Sequence, residues 1–526
     1  MNSESNAQAL NRREFLRQTA MGATAVAGSG VLSASRRASA AETPKRRPNV
    51  LFIITDDQNS NTIGCWGNKV LTPNIDGLAR DGVRFTRGYT ATSICTPSRY
   101  ICLTGQYASR CTSQEFMRGN PPGEQSEVTF NTRVEPDGFN IGRVLHEAGY
   151  ATGVVGKWHT GSGGLGPNVR GPFQACPADA DMNDPAVARL RAANQEKMCE
   201  QIKQRGFDYA ASIYWGNLAD HKLDALNVHN MEWVTKGALD FIEQNKNKPF
   251  YLMMAPTLHH SPPPIKSIGA DERVTPAGLL KEPLKVMPPR SGIAARLRAA
   301  GIPPNMAHCT WLDDGIGAVL KKIDELGLTE DTAVFFFSDN CTPGKSTCYD
   351  GGARTPWLLR WKGHIAGGQV CDELAQNIDF VPTILDICGV TPPAKMRLDG
   401  RSMLPLLTGK SAQVHDALFF ELGHTRGVCT KKWKYVALRF PPRMQEAIKS
   451  GALKPPYYYT NVAVDLQIAA NKRYPHYGDA DQLYDLEKDP NEQANLADDP
   501  KCADALKEMK GRLKEWLATF DRPFRV

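Results

Sequence analysis

The sequence lacks the marks of several protein classes. After residue 32 no apolar run approaches the roughly 18 residues that a membrane-spanning helix needs, so we expect no stable membrane insertion. A formal charge of +7 on 526 residues is too small to indicate a nucleic-acid partner. The chain has no internal repeat and no coiled-coil periodicity. These absences favour a globular protein of two to three domains.

The thirteen cysteines show neither the spacing of a zinc site nor the density of a disulfide framework. Two pairs lie close enough in the sequence to form disulfides, Cys102 with Cys111 and Cys341 with Cys348. The sequence alone decides neither pairing.

The first 40 residues have the order of parts found in a twin-arginine export signal. NRREFL at residues 11–16 precedes a modestly apolar run at 21–32, and the small-residue pattern ASA follows at 38–40. The alternative is a basic disordered tail. We expect the twin-arginine export machinery to deliver the protein to the periplasm or the medium. Because residues 1–40 contain five Arg and two Glu, removing them lowers the formal charge from +7 to +4.

Four short apolar runs end abruptly in polar side chains. These runs lie at residues 50–54, 151–155, 249–254 and 332–337. Helical patterns lie between them, at residues 75–81, 141–148, 231–245 and 305–326. Continuous apolar strands are typical of a parallel sheet covered by helices on both faces, which predicts an α/β doubly wound fold. Ligands bind beyond the carboxyl ends of such strands, so the polar groups that follow the runs should meet in one crevice.

The side chains expected in that crevice suit a metal ion and an anion. Oxygen-only donors favour a hard cation such as Ca²⁺ or Mg²⁺ over zinc, and they come from Asp56, Asp57, Asp339 and Asn340. Adjacent carboxylates at a buried strand end would repel each other without a cation, although an ordinary Asp-Asp turn is the alternative. Positive charge for an oxyanion and histidines able to exchange protons come from Arg99, Lys157, Lys345, His159 and His260.

The sequence CTPSR at residues 95–99, followed by LTG at 103–105, allows three interpretations of Cys95. It could be a buried cysteine at a helix start, where the thiol pKa would be lowered. It could be an ordinary nucleophile paired with a histidine. It could also be oxidised after synthesis to a formylglycine aldehyde, whose hydrate carries two hydroxyls on one carbon.

Together these motifs resemble the type I, formylglycine-dependent sulfatases of the alkaline phosphatase superfamily, from about residue 47 to the C-terminus. Besides CTPSR, the resemblance rests on RPNVLFIITDD at 47–57, TPNIDGLA at 72–79, GKWH at 156–159, SDN at 338–340, YDGGARTP at 349–356 and LYDLEKDPNE at 483–492. It implies an alkaline phosphatase-like, mostly parallel doubly wound sheet in a catalytic domain at residues 41–410. A smaller C-terminal α+β domain would follow at 411–526.

The resemblance also implies a metal site and a modified residue. One Ca²⁺ would polarise the sulfate ester. Its ligands would be Asp56, Asp57, Asp339, Asn340 and the formylglycine that a maturation enzyme makes from Cys95.

The remaining polar residues receive catalytic roles from the same resemblance. Arg99 would steady the aldehyde hydrate, and Lys157 would bridge it to the substrate sulfate. His260 and Lys345 would bind the sulfate, and one of them would protonate the leaving alcohol. His159 would be the base in the elimination that frees sulfate.

The expected function is an exported sulfatase acting on a sulfated carbohydrate. Two alternatives stay open: a phosphodiesterase or phosphonate monoester hydrolase with the same nucleophile, and a non-catalytic glycan-binding relative. The chain departs from the family where Gln106 replaces a frequent arginine and Cys341 a usual glycine. In the C-terminal part, His424 and Arg426 could contact substrate, but we expect them to be exposed loop residues.

Overall fold

The computed structural model describes residues 46–161, 173–454 and 464–526, so the predicted export signal at 1–40 lies outside the described residues. Residues 46–526 form one compact unit. Its strands are β1 (Asn49–Thr55), β2 (Val83–Phe85), β3 (Gly88–Tyr89), β4 (Ala151–Lys157), β5 (Tyr209–Tyr214), β6 (Phe250–Ala255), β7 (Val274–Thr275), β8 (Gly278–Leu279), β9 (Thr332–Ser338), β10 (Trp357–Arg360), β11 (Gln369–Cys371), β12 (Ala375–Gln376), β13 (Leu418–Leu422), β14 (Thr425–Cys429), β15 (Trp433–Leu438) and β16 (Asp481–Asp485).

The α-helices lie between and around these strands. They are α1 (Pro73–Arg80), α2 (Cys95–Thr104), α3 (Gln114–Gly119), α4 (Ile141–Glu147), α5 (Pro185–Lys203), α6 (Met231–Asn245), α7 (Ile265–Ile268), α8 (Ile293–Ala299), α9 (Ala307–Glu325), α10 (Asp350–Ala353), α11 (Phe380–Ile387), α12 (Leu404–Leu407), α13 (Pro442–Lys449), α14 (Val464–Arg473) and α15 (Ala503–Leu517). None of the helices in the described part of the chain has the length and apolar character that crossing a membrane requires.

An eight-stranded sheet forms the centre of the molecule, in the order β11-β2-β10-β9-β1-β6-β4-β5. The five strands from β9 to β5 are parallel, while β10 is antiparallel to both of its neighbours. In β1, Phe52 packs into the core on one face and Leu51 and Ile53 pack into the core on the other. Because both faces are buried, the strand has no polar alternation. The predicted α/β fold is confirmed.

The four predicted strands are all present, with ends moved by one or two residues. The strand β4 continues to Lys157 and β9 to Ser338, because their polar ends stay in the parallel ladder with β5 and β1. The helix predicted at 231–245 has those bounds. Strand β5 was not predicted, although it pairs with β4 and supplies one edge of the sheet.

A second, antiparallel sheet of four strands, β13-β14-β15-β16, follows in the C-terminal part, and α15 packs on β14 and β15. The expectation that His424 and Arg426 are exposed is wrong, since each is only 2% exposed. Arg426 donates to the carbonyl and the hydroxyl of Ser126, at 2.8 and 2.9 Å. The guanidinium therefore joins this sheet to the segment that follows α3.

All thirteen cysteines are free. The Cys341 thiol donates to the backbone carbonyls of Gln58 and Arg354, both at 3.4 Å, and does not pair with Cys348. Cys102 and Cys111 are likewise unpaired. Neither disulfide considered from the sequence forms.

Candidate active site

The predicted site residues meet at the carboxyl edge of the large sheet. Asp56 and Asp57 follow the central strand β1, Asp339 follows its neighbour β9, and Lys157 ends β4. His260 lies beyond the end of β6, which pairs with β1 on the other side. Adjacent parallel strands that end together bring residues distant in the sequence to one crevice.

Cys95 is the first residue of α2 and is fully buried. Its Sγ lies 3.5 Å from Asp56 Oδ1, 3.6 Å from Asn340 Nδ2 and 3.7 Å from Lys345 Nζ. Burial, together with Asp339, raises the pKa of the Cys95 thiol to about 12. The lowered pKa expected of a cysteine at a helix start is therefore wrong, and the unmodified thiol is a poor nucleophile at neutral pH.

Three buried carboxylates face three buried cations in this crevice. Lys157 Nζ lies 2.6 Å from Asp56 Oδ2, and Lys345 Nζ lies 2.6 and 2.8 Å from the two oxygens of Asp57. The third pair joins Arg99 to Asp339, with the guanidinium Nε 2.8 Å from Oδ2. The backbone N–H of Asp57 also donates to Asp339 Oδ1 at 3.2 Å, which ties the ends of β1 and β9 together.

The electrostatics of these groups fit a hard divalent cation. Although burial opposes its charge, Lys157 and His260 hold the pKa of Asp56 well below its usual range. Burial and the charge of Asp56 raise the pKa of Asp339 to about 6, which shows how poorly the crevice tolerates another negative charge. Asn340 Oδ1 is buried and accepts no hydrogen bond from any residue in the described part of the chain. Carboxylate and amide oxygens gathered in this way are the ligands that Ca²⁺ and Mg²⁺ prefer.

The two predicted histidines have different neighbours in the site. His260 Nε2 is 3.8 Å from Asp57 Oδ2, and burial lowers the pKa of His260. His159 has a left-handed backbone conformation, φ 59°, and its ring stacks on Phe130 at 5.9 Å. Burial and the neighbouring Lys157 lower the pKa of His159 well below its usual value. The His159 ring is therefore neutral near pH 7, the state that a proton acceptor needs.

Two further residues of the site were not predicted from the sequence. Asn217 Oδ1 accepts a hydrogen bond from Lys157 Nζ at 2.7 Å. His229 bonds the Thr257 hydroxyl at 2.7 Å and the carbonyl of His260 at 3.0 Å, so it fixes the loop that carries His260. Asn217 lies shortly after strand β5, and Asp339 lies directly after β9. A prediction of strand β5 from the sequence would therefore have indicated Asn217 as a candidate site residue.

The site thus gathers metal-type oxygen donors and buried cations around Cys95, which is the arrangement of an esterase for negatively charged esters. The Sulfatase family profile matches residues 48–390, and that of N-sulphoglucosamine sulphohydrolase, C-terminal, matches residues 344–446. The chain therefore belongs to the sulfatase family, within the alkaline phosphatase superfamily, and is a sulfuric ester hydrolase.

Curated relatives and solved structures are similar over most of their length. Arylsulfatase A of Bos taurus is 30% identical over 505 residues, covering 90% of this chain and 88% of the relative. An N-acetylgalactosamine-6-O-sulfatase of Bacteroides thetaiotaomicron is 26% identical over 523 residues, covering 86% and 90%. A structure from work on glycosaminoglycan metabolism by that organism has a TM-score of 0.60 at 21% identity, covering 90% of this chain and 99% of that chain.

A further structure was solved in complex with its substrate D-glucosamine-2-N,6-O-disulfate. It has a TM-score of 0.59 at 18% identity and covers 90% of this chain and 98% of that chain. These structural likenesses confirm the alkaline phosphatase-like fold with a smaller C-terminal domain.

Proposed function

We propose that the protein is an exported sulfatase that removes sulfate from a carbohydrate, using Ca²⁺ and a formylglycine made from Cys95. The position of Cys95 supports this most directly, because its Sγ lies 3.5 Å from the metal-type carboxylate of Asp56 and 3.7 Å from the Lys345 ammonium. Burial suppresses its thiolate, so a modification that replaces sulfur with oxygen would supply the nucleophile that the unmodified residue lacks.

The bound Ca²⁺ would polarise the sulfate oxygens, and the formylglycine hydrate would supply the attacking hydroxyl. The oxygens of Asp56, Asp57, Asp339 and Asn340 would hold the ion. With their charges balanced by Asp56 and Asp57, Lys157 and Lys345 stay protonated and would stabilise negative charge on the sulfate. Arg99 is anchored on Asp339 and also donates to the Lys157 carbonyl at 3.0 Å, which orients that lysine's strand end.

Proton transfer falls to three side chains. His159 is neutral and has a buried Nδ1 with no hydrogen-bond partner among the described residues, so it can take the proton in the step that releases sulfate. His260 and Lys345 both lie beside Asp57, and either would donate a proton to the leaving oxygen.

A carbohydrate substrate is supported by the relatives rather than by the catalytic residues. One relative is named an N-acetylgalactosamine-6-O-sulfatase, and a structural neighbour was solved with a disulfated glucosamine. A panel of sulfated sugars, with a steryl sulfate and an aryl sulfate for comparison, tests the assignment. Turnover of the aryl or steryl ester alone would contradict it.

Mass spectrometry of the tryptic peptide at residues 88–99, from protein co-expressed with a maturation enzyme, tests the modification. Conversion of Cys95 to the aldehyde lowers the peptide mass by about 18 Da, because the thiol is replaced by a carbonyl oxygen. The adjacent tryptic peptide at residues 100–110 contains Cys102 and serves as the control that keeps its mass. An active protein whose Cys95 peptide keeps the mass of a thiol would overturn the proposed nucleophile.

Calcium is tested on the same preparation. Dialysis against a chelator should abolish hydrolysis, and Ca²⁺ should restore it, because the three carboxylates cannot hold a sulfate ester without a cation. Asp339→Asn removes one ligand charge and should raise the Ca²⁺ concentration needed for half-maximal activity. Full activity after chelation would exclude the metal.

Export is proposed from residues 1–40 alone. The double substitution Arg12→Lys with Arg13→Lys should leave the precursor in the cytoplasm, since the twin arginine is the recognised feature of the signal. Unchanged delivery to the periplasm by the double variant would refute the twin-arginine route.

A further inference from the structure

A second cluster of metal-type side chains lies beside the active site and shares no residue with it. His259 follows β6, while His308 and Cys309 lie in the first turn of α9. One ligand atom from each residue lies within 4.8 Å of the other two. The Cys309 Sγ is 3.6 Å from His308 Nε2, and the two imidazoles meet edge to face with their centroids 4.7 Å apart.

The His259 ring has no polar partner in the described part of the protein. Both ring nitrogens of His259 are buried and have no hydrogen-bond partner among the described residues. A buried polar group without a partner costs free energy, and a neutral imidazole has one lone pair available for a metal. Cys309 is fully buried, while His259 and His308 are each half-buried as whole residues.

We propose that His259, His308 and Cys309 bind a transition-metal ion of the Zn²⁺ type, with water as the fourth ligand. Two imidazole nitrogens and one sulfur are the ligands that zinc prefers, in contrast to the oxygen donors around Asp56. Zn–N and Zn–S bonds of about 2.0–2.3 Å place tetrahedral ligands closer together than 4.8 Å, so small side-chain rotations close the site.

The metal would also fix one wall of the active site. The backbone N–H of His259 donates to the carbonyl of Asp56, and the N–H of Asp56 donates to the carbonyl of Leu258 at 2.9 Å. The next residue, His260, faces the proposed sulfate position. An ion on His259 therefore braces the segment that carries both residues, without touching the reacting ester.

Cobalt binding to the purified full-length protein tests the site. The experiment uses the Cys95→Ser background with saturating Ca²⁺, so that the carboxylate site contributes no thiolate signal and the outcome is independent of the proposed sulfatase chemistry. We expect one Co²⁺ per chain, with a thiolate-to-cobalt charge-transfer band that one equivalent of Zn²⁺ removes.

Two substitutions and one control assign the ligands. Cys309→Ser should abolish the band. His308→Ala should weaken cobalt binding at least about tenfold, because even the loss of a residue that hydrogen-bonds to a metal ligand lowers metal affinity about 10- to 100-fold. Cys371→Ser, at a half-buried cysteine in β11, should change neither, and thermal melts establish that each variant is folded. No band in the parent protein, or a band that survives Cys309→Ser, would overturn the proposal.

Discussion

At the scale of single residues, the site is organised by compensation of buried charge. Asp56, Asp57 and Asp339 each form a close ion pair with a different cation, and the six side chains are at most 7% exposed. A buried charge that loses its partner destabilises the folded protein. Each substitution among these residues should therefore destabilise the remaining partner as well as slow the reaction. Lys157 has a second partner outside this set, Asn217, which makes that contact the one to test separately.

Asn217→Ala should lower kcat/KM about 10- to 100-fold, because a hydrogen bond to a charged group is worth roughly 1.5–3 kcal/mol. Asn217 Oδ1 is the acceptor that orients Lys157 Nζ, at 2.7 Å. Asn217→Asp keeps an acceptor oxygen and should recover part of the loss. Steady-state kinetics on the best sulfated sugar measure both effects. An unchanged kcat/KM for Asn217→Ala would show that Asn217 does not contribute to catalysis.

His221 gives a prediction about pH and stability. Burial and the neighbouring Arg191 guanidinium, 3.0 Å from Nδ1, lower the pKa of His221 to about 3. The unfolded chain has the ordinary pKa near 6.5, so between these values it binds more protons than the folded chain, and stability falls as the pH falls. From pH 7 to pH 5 the loss attributable to His221 is about 2 kcal/mol.

Urea unfolding of the wild type and of His221→Gln at both pH values measures that loss. The glutamine does not titrate, so the wild type should lose about 2 kcal/mol more than the variant between pH 7 and pH 5. Parallel losses in the two proteins would show that His221 does not contribute.

At the scale of elements, a buried ion pair anchors the segment between β6 and α8. Arg290 donates to both oxygens of Glu232 in α6, at 2.9 and 2.6 Å, and the side chains are only 2% and 4% exposed. Trp311 donates to the same carboxylate at 2.9 Å, and its ring lies 4.4 Å from the guanidinium carbon. The segment that begins just after His260 therefore ends at a fixed point on two helices.

Arg290→Ala should lower the free energy of unfolding by about 3–5 kcal/mol, because Glu232 would remain buried without its cation. The matched control is Arg273→Ala in the same segment, whose pair with Asp271 is roughly half exposed. That control should change stability little, because solvent screens an exposed ion pair. Chemical denaturation compares the two, and equal losses would show that burial of the Arg290 pair is unimportant.

At the scale of the whole molecule, helix α15 joins the small sheet to the helix that carries Cys95. Trp516 packs on Phe419 of β13 and on Tyr107, which follows α2, with ring centroids 4.9 Å apart in both cases. The contacts belong to the same core that covers one face of the large sheet. The residues from 46 onwards should consequently unfold together.

Trp516→Ala should lower the free energy of unfolding by about 3–5 kcal/mol, the usual range when a large aromatic side chain is removed from a core. Calorimetry should show one transition shifted to lower temperature. A separate early transition for the C-terminal sheet would contradict joint unfolding and would support the domain boundary predicted near residue 410.

The sequence alone determined where the strands lie and which polar side chains follow them. Uninterrupted apolar runs have few alternatives to buried parallel strands, and polar residues end such runs. Asp56, Lys157 and Asp339 follow from that rule. The tertiary structure decided the rest. The raised pKa of Cys95, the partnership of Asn217 with Lys157 and the burial of Arg426 depend on which distant segments pack together. Desolvation and long-range pairing set these properties, and neither is a local property of the chain.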